Sequence, residues 1–170
     1  DADILKTIFQ LAEKYHKKVF AIVSNMSIAM ERRDLMKQTD CVVCNQEEAG
    51  LLFSEDYSNL SPSELAEIID EKVEQAQFTR MVVTMGEQGA VYAEKHEDYG
   101  TIPAKKTIVQ DTTGCGDAFF SGVCIGLTYG KNLKESCEIG TRLASSVIAT
   151  KENVCPRFLP SEFNLDVEVE

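Results

Sequence analysis

The chain has 170 residues, 44% of them hydrophobic and 26% charged, the composition of a soluble globular protein long enough to bury one full core. Collagen-like and disordered classes are excluded on that count. The formal net charge of −11 argues against a nucleic-acid or anionic-membrane binder, because no basic field attracts phosphate backbones.

No uncharged apolar run approaches the roughly 18 to 20 residues of a membrane span, and no basic-then-apolar start marks a signal peptide. The six cysteines, in a chain without secretory features, read as free thiols, and together these features point to a cytoplasmic protein. Residue 1 is Asp and the first residues already read as helix, so the chain is expected to begin mid-protein.

From Asp3 to Lys18, apolar groups at Ile4, Ile8, Leu11, Ala12 and Tyr15 share one helical face. Val19 to Val23 (VFAIV) is a short apolar run expected as a strand buried on both sides. After a loop and short helix in SNMSIAMERRDLMK, Cys41 to Cys44 (CVVC) reads as a second buried strand. The CxxC spacing invites a metal, but residues three apart on a strand face opposite ways and the only histidines are His16 and His96, so zinc is rejected in favour of buried thiols. Asn45, Gln46, Glu47 and Glu48 follow, and their simplest role is to cap a helix over Gln46 to Phe53.

Ser61, Pro62, Ser63 and Glu64 form a capping box with Pro at the first helical position, opening a helix whose stripe is Leu65, Ile68, Ile69 and Val73. Met81 to Met85 (MVVTM) is a third buried strand running into Gly86 and Gly89, and a hairpin turn there leads to Ala90 to Ala93. From His96 to Lys106 the chain is polar turn and edge structure. Such alternation implies an α/β sandwich with a largely parallel sheet, whose ligands gather at the carboxyl ends of the strands.

The most informative stretch is Val109 to Phe120, VQDTTGCGDAFF. Ile108 and Val109 read as a strand end, Gly114 and Gly116 as points where backbone approaches a ligand without Cβ obstruction, and Asp117 as a carboxylate in the first turn of an apolar helix. Amides at that turn, with the positive end of the helix dipole, suit an oxyanion or phosphate. The bland alternative is an ordinary turn whose Asp favours the helix start. The helix runs to about Tyr129, apolar nearly all round and expected to be buried, with Gly130 just past its end; Asn132 and Glu135 cap the next, which runs to about Thr150.

The stretch Asp111 to Asp117, DTTGCGD, resembles the DTxGAGD signature of the ribokinase-like (PfkB) family of sugar and nucleoside kinases. The resemblance implies a three-layer α/β sandwich of which residues 1–170 are the C-terminal nucleotide-binding portion, one domain lacking the N-terminal part with its Gly-Gly substrate loop and lid. It implies ATP-dependent transfer of the γ-phosphate to a hydroxyl of a sugar or nucleoside, with Asp117 as base and Gly114, Cys115 and Gly116 as anion hole. Cys115 stands where the family usually has Ala.

Further segments extend the likeness. Asn45 to Glu48 resembles the family's Asn-x-x-Glu, which implies Asn45 near the nucleotide and Glu48 helping to hold Mg2+, partly through water. Thr84, Gly86 and Gly89 resemble its Thr-x-Gly-x-x-Gly turn, which lies against ATP. Thr150 to Pro156 resembles a segment whose carbonyls, with those near Asp111 and Thr113, can hold a monovalent cation such as K+, while neighbours flank the adenine; here Asn153 and Val154 replace Gly and Ala. Of the usual Asp-Pro-Asn-x-Arg loop only Asn25 survives. The loops after three strands are thus expected on one edge, and the missing lid allows a homodimer.

Competing phosphate binders fit less well. Gly126 to Asn132 fails the Walker A spacing and has no Ser or Thr after Lys131; a dinucleotide fingerprint at Gly114 would place Phe119 where its third glycine belongs. The competitor of another class is a catalytically silent nucleotide-binding domain with the same fold, favoured by the altered loop at Asn25. The fragment alone is expected to bind nucleotide weakly and to transfer nothing. Cys115, a thiol among helix-terminal amides, is a candidate for oxidation or alkylation.

Overall fold

The computed structural model describes residues 2–23, 26–151, 155, 159–163 and 165. Asn25 and Asn153 lie outside them. In chain order the elements are α1 (Ala2–Lys14), β1 (Phe20–Ile22), α2 (Met26–Glu31), α3 (Arg33–Met36), β2 (Cys41–Asn45), α4 (Gln46–Phe53), α5 (Pro62–Ala76), β3 (Arg80–Thr84), β4 (Ala90–Glu94), β5 (Tyr99–Ile102), α6 (Cys115–Thr128) and α7 (Leu133–Ile148). They divide into two compact units, Asp1–Met85 with Ala90–Thr101, and Gly86–Gly89 with Ile102–Glu170.

The first unit is built on a mixed sheet of order β1-β2-β3-β4-β5, an α/β arrangement with helices against it. β1, β2 and β3 are parallel, as strands joined through helices must be when successive strands lie side by side; β4 returns antiparallel across the Gly86–Gly89 turn, with Val82 opposite Tyr92. One face of the sheet, Val42, Cys44, Met81, Val83, Val91 and Ala93, forms a core with Ala49 and Leu52 of α4 and Leu65, Ile69 and Val73 of α5. Cys41, Val43, Val82 and Tyr92 on the other face are buried too, which is why β2 to β4 read as continuous apolar runs.

β1 departs from expectation. It is the sheet's edge strand, with Phe20 and Ala21 half-buried and Ile22 exposed, because its burial depends on a neighbour that these residues do not supply. The thiols of Cys41 and Cys44 are buried as expected, and burial pushes the Cys44 thiol far above the ordinary range. Iodoacetamide at mildly alkaline pH should therefore label half-buried Cys115 while sparing Cys41, Cys44 and Cys137, as peptide mass mapping would show.

In the second unit α6 and α7 pack with their backbones nearly in contact. A Cβ added at Gly122 would lie 2.5 Å from the Cα of Gly140, and one at Gly126 would lie 2.5 Å from Ser136 Oγ. Gly122→Ala should lower the unfolding temperature, because overpacking costs about 1–3 kcal/mol and outweighs the ~1 kcal/mol that Ala gains in helix propensity. Thermal unfolding followed by circular dichroism checks this; an unchanged transition would mean that the helices stand further apart.

α6 ends as a Schellman motif: Gly130 has φ 75°, its N–H donates to Leu127 O at 3.4 Å, and Lys131 N–H donates to Gly126 O at 3.0 Å. The helix is less enclosed than its composition suggests. Phe119, Gly122, Val123, Gly126 and Leu127 are buried, while Phe120 and Ile125 are half-buried. Leu165 folds back onto Ile139 and Leu143.

Ile108 and Val109 form no strand. They lie in an irregular segment and are 79% and 62% exposed, and no strand among the described residues pairs with them, so their β propensity has no ladder to join. The segment is tied down at Gln110, whose N–H donates to Ile148 O at 2.8 Å.

Candidate active site

The loop before α6 is organised by Asp111. Its Oδ1 accepts the Thr113 N–H at 2.8 Å, closing an Asx turn, and this bond holds the Asp111 carboxyl below the ordinary aspartate range. A depressed folded-state pKa means that the turn contributes its stabilisation above the unfolded value and loses it as pH falls through the folded one. In an NMR titration the Asp111 carboxylate should turn over below the ordinary aspartate value, with the Thr113 amide moving at the same midpoint; a midpoint at or above that value would show that the turn does not persist.

Gly114 follows at φ 79°, the left-handed conformation that only glycine adopts without cost, and turns the chain into α6 as its N-cap. No side chain caps this helix. The contrast with its neighbours is chemical: α4, α5 and α7 each open on a complete capping box, Asn45 with Glu48, Ser61 with Glu64 and Asn132 with Glu135. At α6 no side chain takes up the first-turn amides.

Three amides were expected in the anion hole, and the structure distinguishes among them. Cys115 N–H donates to Thr112 O at 3.3 Å, so the turn itself uses that donor. Gly114 contributes conformation as N-cap. Among the described residues the amides of Gly116 and Asp117 have no acceptor, and a Cβ at Gly116 would meet nothing within 4 Å, so the space over them is open. The helix-start reading undercounted Asp117, whose amide as well as its carboxylate belongs to the first turn; its position three residues past the N-cap was the available signal. The Asp117 side chain is exposed and makes no hydrogen bond or ion pair among the described residues. It therefore has freedom to meet a proton donor from solvent or substrate.

In the first unit Asn45 and Thr84 are register partners at the carboxyl ends of β2 and β3. Asn45 Oδ1 accepts Glu48 N–H at 2.8 Å, and Glu48 Oε2 accepts Asn45 N–H at 2.7 Å. The capping reading is thus realised, with Glu48 Oε1 left over for an outer ligand. Thr84 Oγ1 donates to Cys44 O at 3.5 Å. Among the described residues no three His, Cys, Asp or Glu side chains gather to hold a metal.

The two turn glycines differ. Gly86, at φ 58°, has open space where a Cβ would be, which leaves room for a ligand. Gly89, at φ 99°, would place a Cβ 2.0 Å from Ile102 O and 2.7 Å from Ala104 N, so close packing of backbone explains that glycine.

Residues 1–156 match the pfkB family of carbohydrate kinases. The chain belongs to that family. Its relatives include the guanosine-inosine kinase of Exiguobacterium acetylicum, 34% identical over 152 residues, which cover 88% of this chain and 49% of the relative. A 2-dehydro-3-deoxygluconokinase of Haemophilus influenzae is 33% identical over 55% of this chain and 32% of its own length. Among solved structures, a probable sugar kinase from Rhizobium etli superposes with a TM-score of 0.77 at 25% identity, covering 95% of this chain and 49% of the other. Arabidopsis thaliana ribokinase, solved with ribose and ATP, has the same TM-score at 20% identity and shares the fold. This pfkB chain thus spans about half the length of the guanosine-inosine kinase and of the Rhizobium etli chain. Among its described residues no helix is long and apolar enough to cross a membrane.

Proposed function

We propose that this pfkB chain supplies the nucleotide-phosphate half of a kinase that moves the γ-phosphoryl group of ATP to a hydroxyl, with Asp117 taking the proton. The observation that carries the reading is the start of α6: a helix without a side-chain cap, two unengaged amides, open space above Gly116 and an exposed carboxylate in the same turn. Phosphoryl transfer asks for little else from a protein, since it depends on positioning and on neutralising charge at the transferring oxygens.

In this reading the amides of Gly116 and Asp117, with the positive end of α6, face those oxygens, and Gly114 and Cys115 hold the turn that aims them. Asp117 accepts the acceptor's proton as its oxygen attacks phosphorus and the bond to ADP breaks. Thr84, Gly86 and Asn45 would lie against the nucleotide, and Glu48, whose Oε1 the capping box does not use, would help to hold magnesium. When bound, magnesium supplies charge neutralisation at the phosphates. The carbonyls near Asp111 and Thr113 are the proposed ligands of a monovalent cation.

The acceptor favoured is a purine ribonucleoside, supported by 34% identity to a guanosine-inosine kinase across 88% of the chain; sugars are the second class to assay. ADP release, measured on a complete kinase chain carrying this half across nucleosides and sugars, tests the proposal. Turnover with inosine or guanosine supports it. Nucleotide binding with no acceptor turned over would instead favour a silent domain, to which the altered loop at Asn25 already lends support.

A further inference from the structure

The first turn of α6 is not held in place by its own side chains. No side chain caps the helix, and the Asp117 carboxylate is exposed without a hydrogen bond or ion pair among the described residues. Side-chain bonds that reach the turn are local: Asp111 Oδ1 accepts Thr113 N–H at 2.8 Å, and Ser121 Oγ donates to Asp117 O at 2.8 Å. They shape the segment without fixing it against a neighbour. A group that must meet a reacting atom has to be supported from behind, since a displacement of about 1 Å can cost ~100-fold in rate.

α7 supplies that support on both sides of the turn. Ahead of it, Gln110 N–H donates to Ile148 O at 2.8 Å. Behind it, Ala118 packs on the cluster of Ile139, Leu143 and Leu165, and the backbone of Phe119 lies against Gly140. After proline, glycine is the residue least suited to a helix interior, and here the geometry gives its reason. A Cβ at Gly140 would lie 2.6 Å from Phe119 O and 3.1 Å from Phe119 Cδ2. The ring could turn aside, but the carbonyl oxygen belongs to the helix and moves only with it.

We propose that Gly140 is a positioning residue for Asp117. By letting Phe119 O close on α7, it sets the depth at which the first turn of α6 stands, and with it the place of the Asp117 carboxylate and of the Gly116 and Asp117 amides. The inference rests on the kinase reading, and adds to it what aims the reacting groups. Gly140 meets no substrate in this scheme; it acts through Phe119. Gly126 provides the comparison. A Cβ there would lie 2.7 Å from Ser136 Cα, an equally close approach of the same two helices. That contact is about 13 Å further along α6 from Asp117, at ~1.5 Å of rise per residue.

The test compares Gly140→Ala with Gly126→Ala in a complete kinase chain carrying this half. Both should lower the Tm, since each forces the helices apart. Gly140→Ala should also lower kcat at least tenfold, leave the KM for ATP within threefold of the parent, and shift the Gly116 and Asp117 amide resonances. Gly126→Ala should keep kcat within twofold and leave those resonances in place. Equal losses of kcat in the two variants, or full kcat in a folded Gly140→Ala, overturn the proposal, because the glycine then serves stability alone. Should Gly140→Ala not fold, Phe119→Leu withdraws the ring from Gly140 without a clash; a fall in kcat of at least threefold is expected, and kcat within twofold of the parent overturns the proposal. A parent chain that releases no ADP with any acceptor sinks the kinase reading instead. The amide resonances then decide, and Gly116 and Asp117 signals that Gly140→Ala or Phe119→Leu leaves unmoved overturn the positioning itself.

Discussion

Asp117→Asn, placed in a complete kinase chain, is expected to lower kcat by about 10²–10⁴-fold, the usual contribution of a positioned general base, while the Kd for nucleotide stays within a few-fold. Asparagine keeps the shape and polarity of the side chain but cannot accept the acceptor's proton, so the loss falls on chemistry and not on binding. Such a drop is about 2.7–5.4 kcal/mol of transition-state stabilisation. The folded state should hardly notice, because the carboxylate is exposed and has no hydrogen bond or ion pair among the described residues. The remaining structural effect is the loss of a negative charge at a helix N-terminus, worth about 0.3–1 kcal/mol. Measured kcat within threefold of the parent, with ADP release in both, would remove Asp117 from the role of base. A large loss of nucleotide affinity in place of kcat would reassign it to binding.

How much of this was legible in the sequence depends on whether the determinant was local. The capping boxes at Ser61 and Asn132 and the Schellman end at Gly130 lie within a few residues of chain, so composition and spacing sufficed for them. β2 and β3 read correctly because both of their faces are buried, which leaves an unbroken apolar run in each. Ile108 and Val109 misled because a strand is a property of pairs: the residues have the propensity, and among the described residues no facing strand uses it. The same logic applies to β1, whose apolar run promised burial that only a neighbouring strand could supply.

At the candidate site the signature located the loop but could not apportion its donors. The use of the Cys115 amide by Thr112 O depends on how tightly residues 112–115 close, and Gly114 with its φ of 79° sets that closure in three dimensions. Sequence spacing also could not separate capping from ligation at Asn45 and Glu48, since one geometry serves a helix start and leaves one carboxylate oxygen over.

Gly116→Ala separates fold from function at this site. Gly116 lies in the first turn of α6, its φ is outside the left-handed region, and a Cβ there would meet no atom within 4 Å. Structure alone therefore predicts a harmless or stabilising change, because Ala exceeds Gly in helix propensity by about 1 kcal/mol, or roughly 2–4 °C in Tm for a chain of this size. If phosphoryl oxygens must approach the Gly116 and Asp117 amides, the same methyl group occupies their path. The expected result in a complete kinase chain is an unchanged or raised Tm together with a fall of at least ~10-fold in kcat/KM, about 1.4 kcal/mol or more. Gly114→Ala cannot make this distinction, since at φ 79° it strains the backbone by roughly 1–2 kcal/mol and disturbs the turn itself. Full activity in Gly116→Ala, with the fold intact, would mean that the open space over the first turn of α6 is not where the transferring group sits.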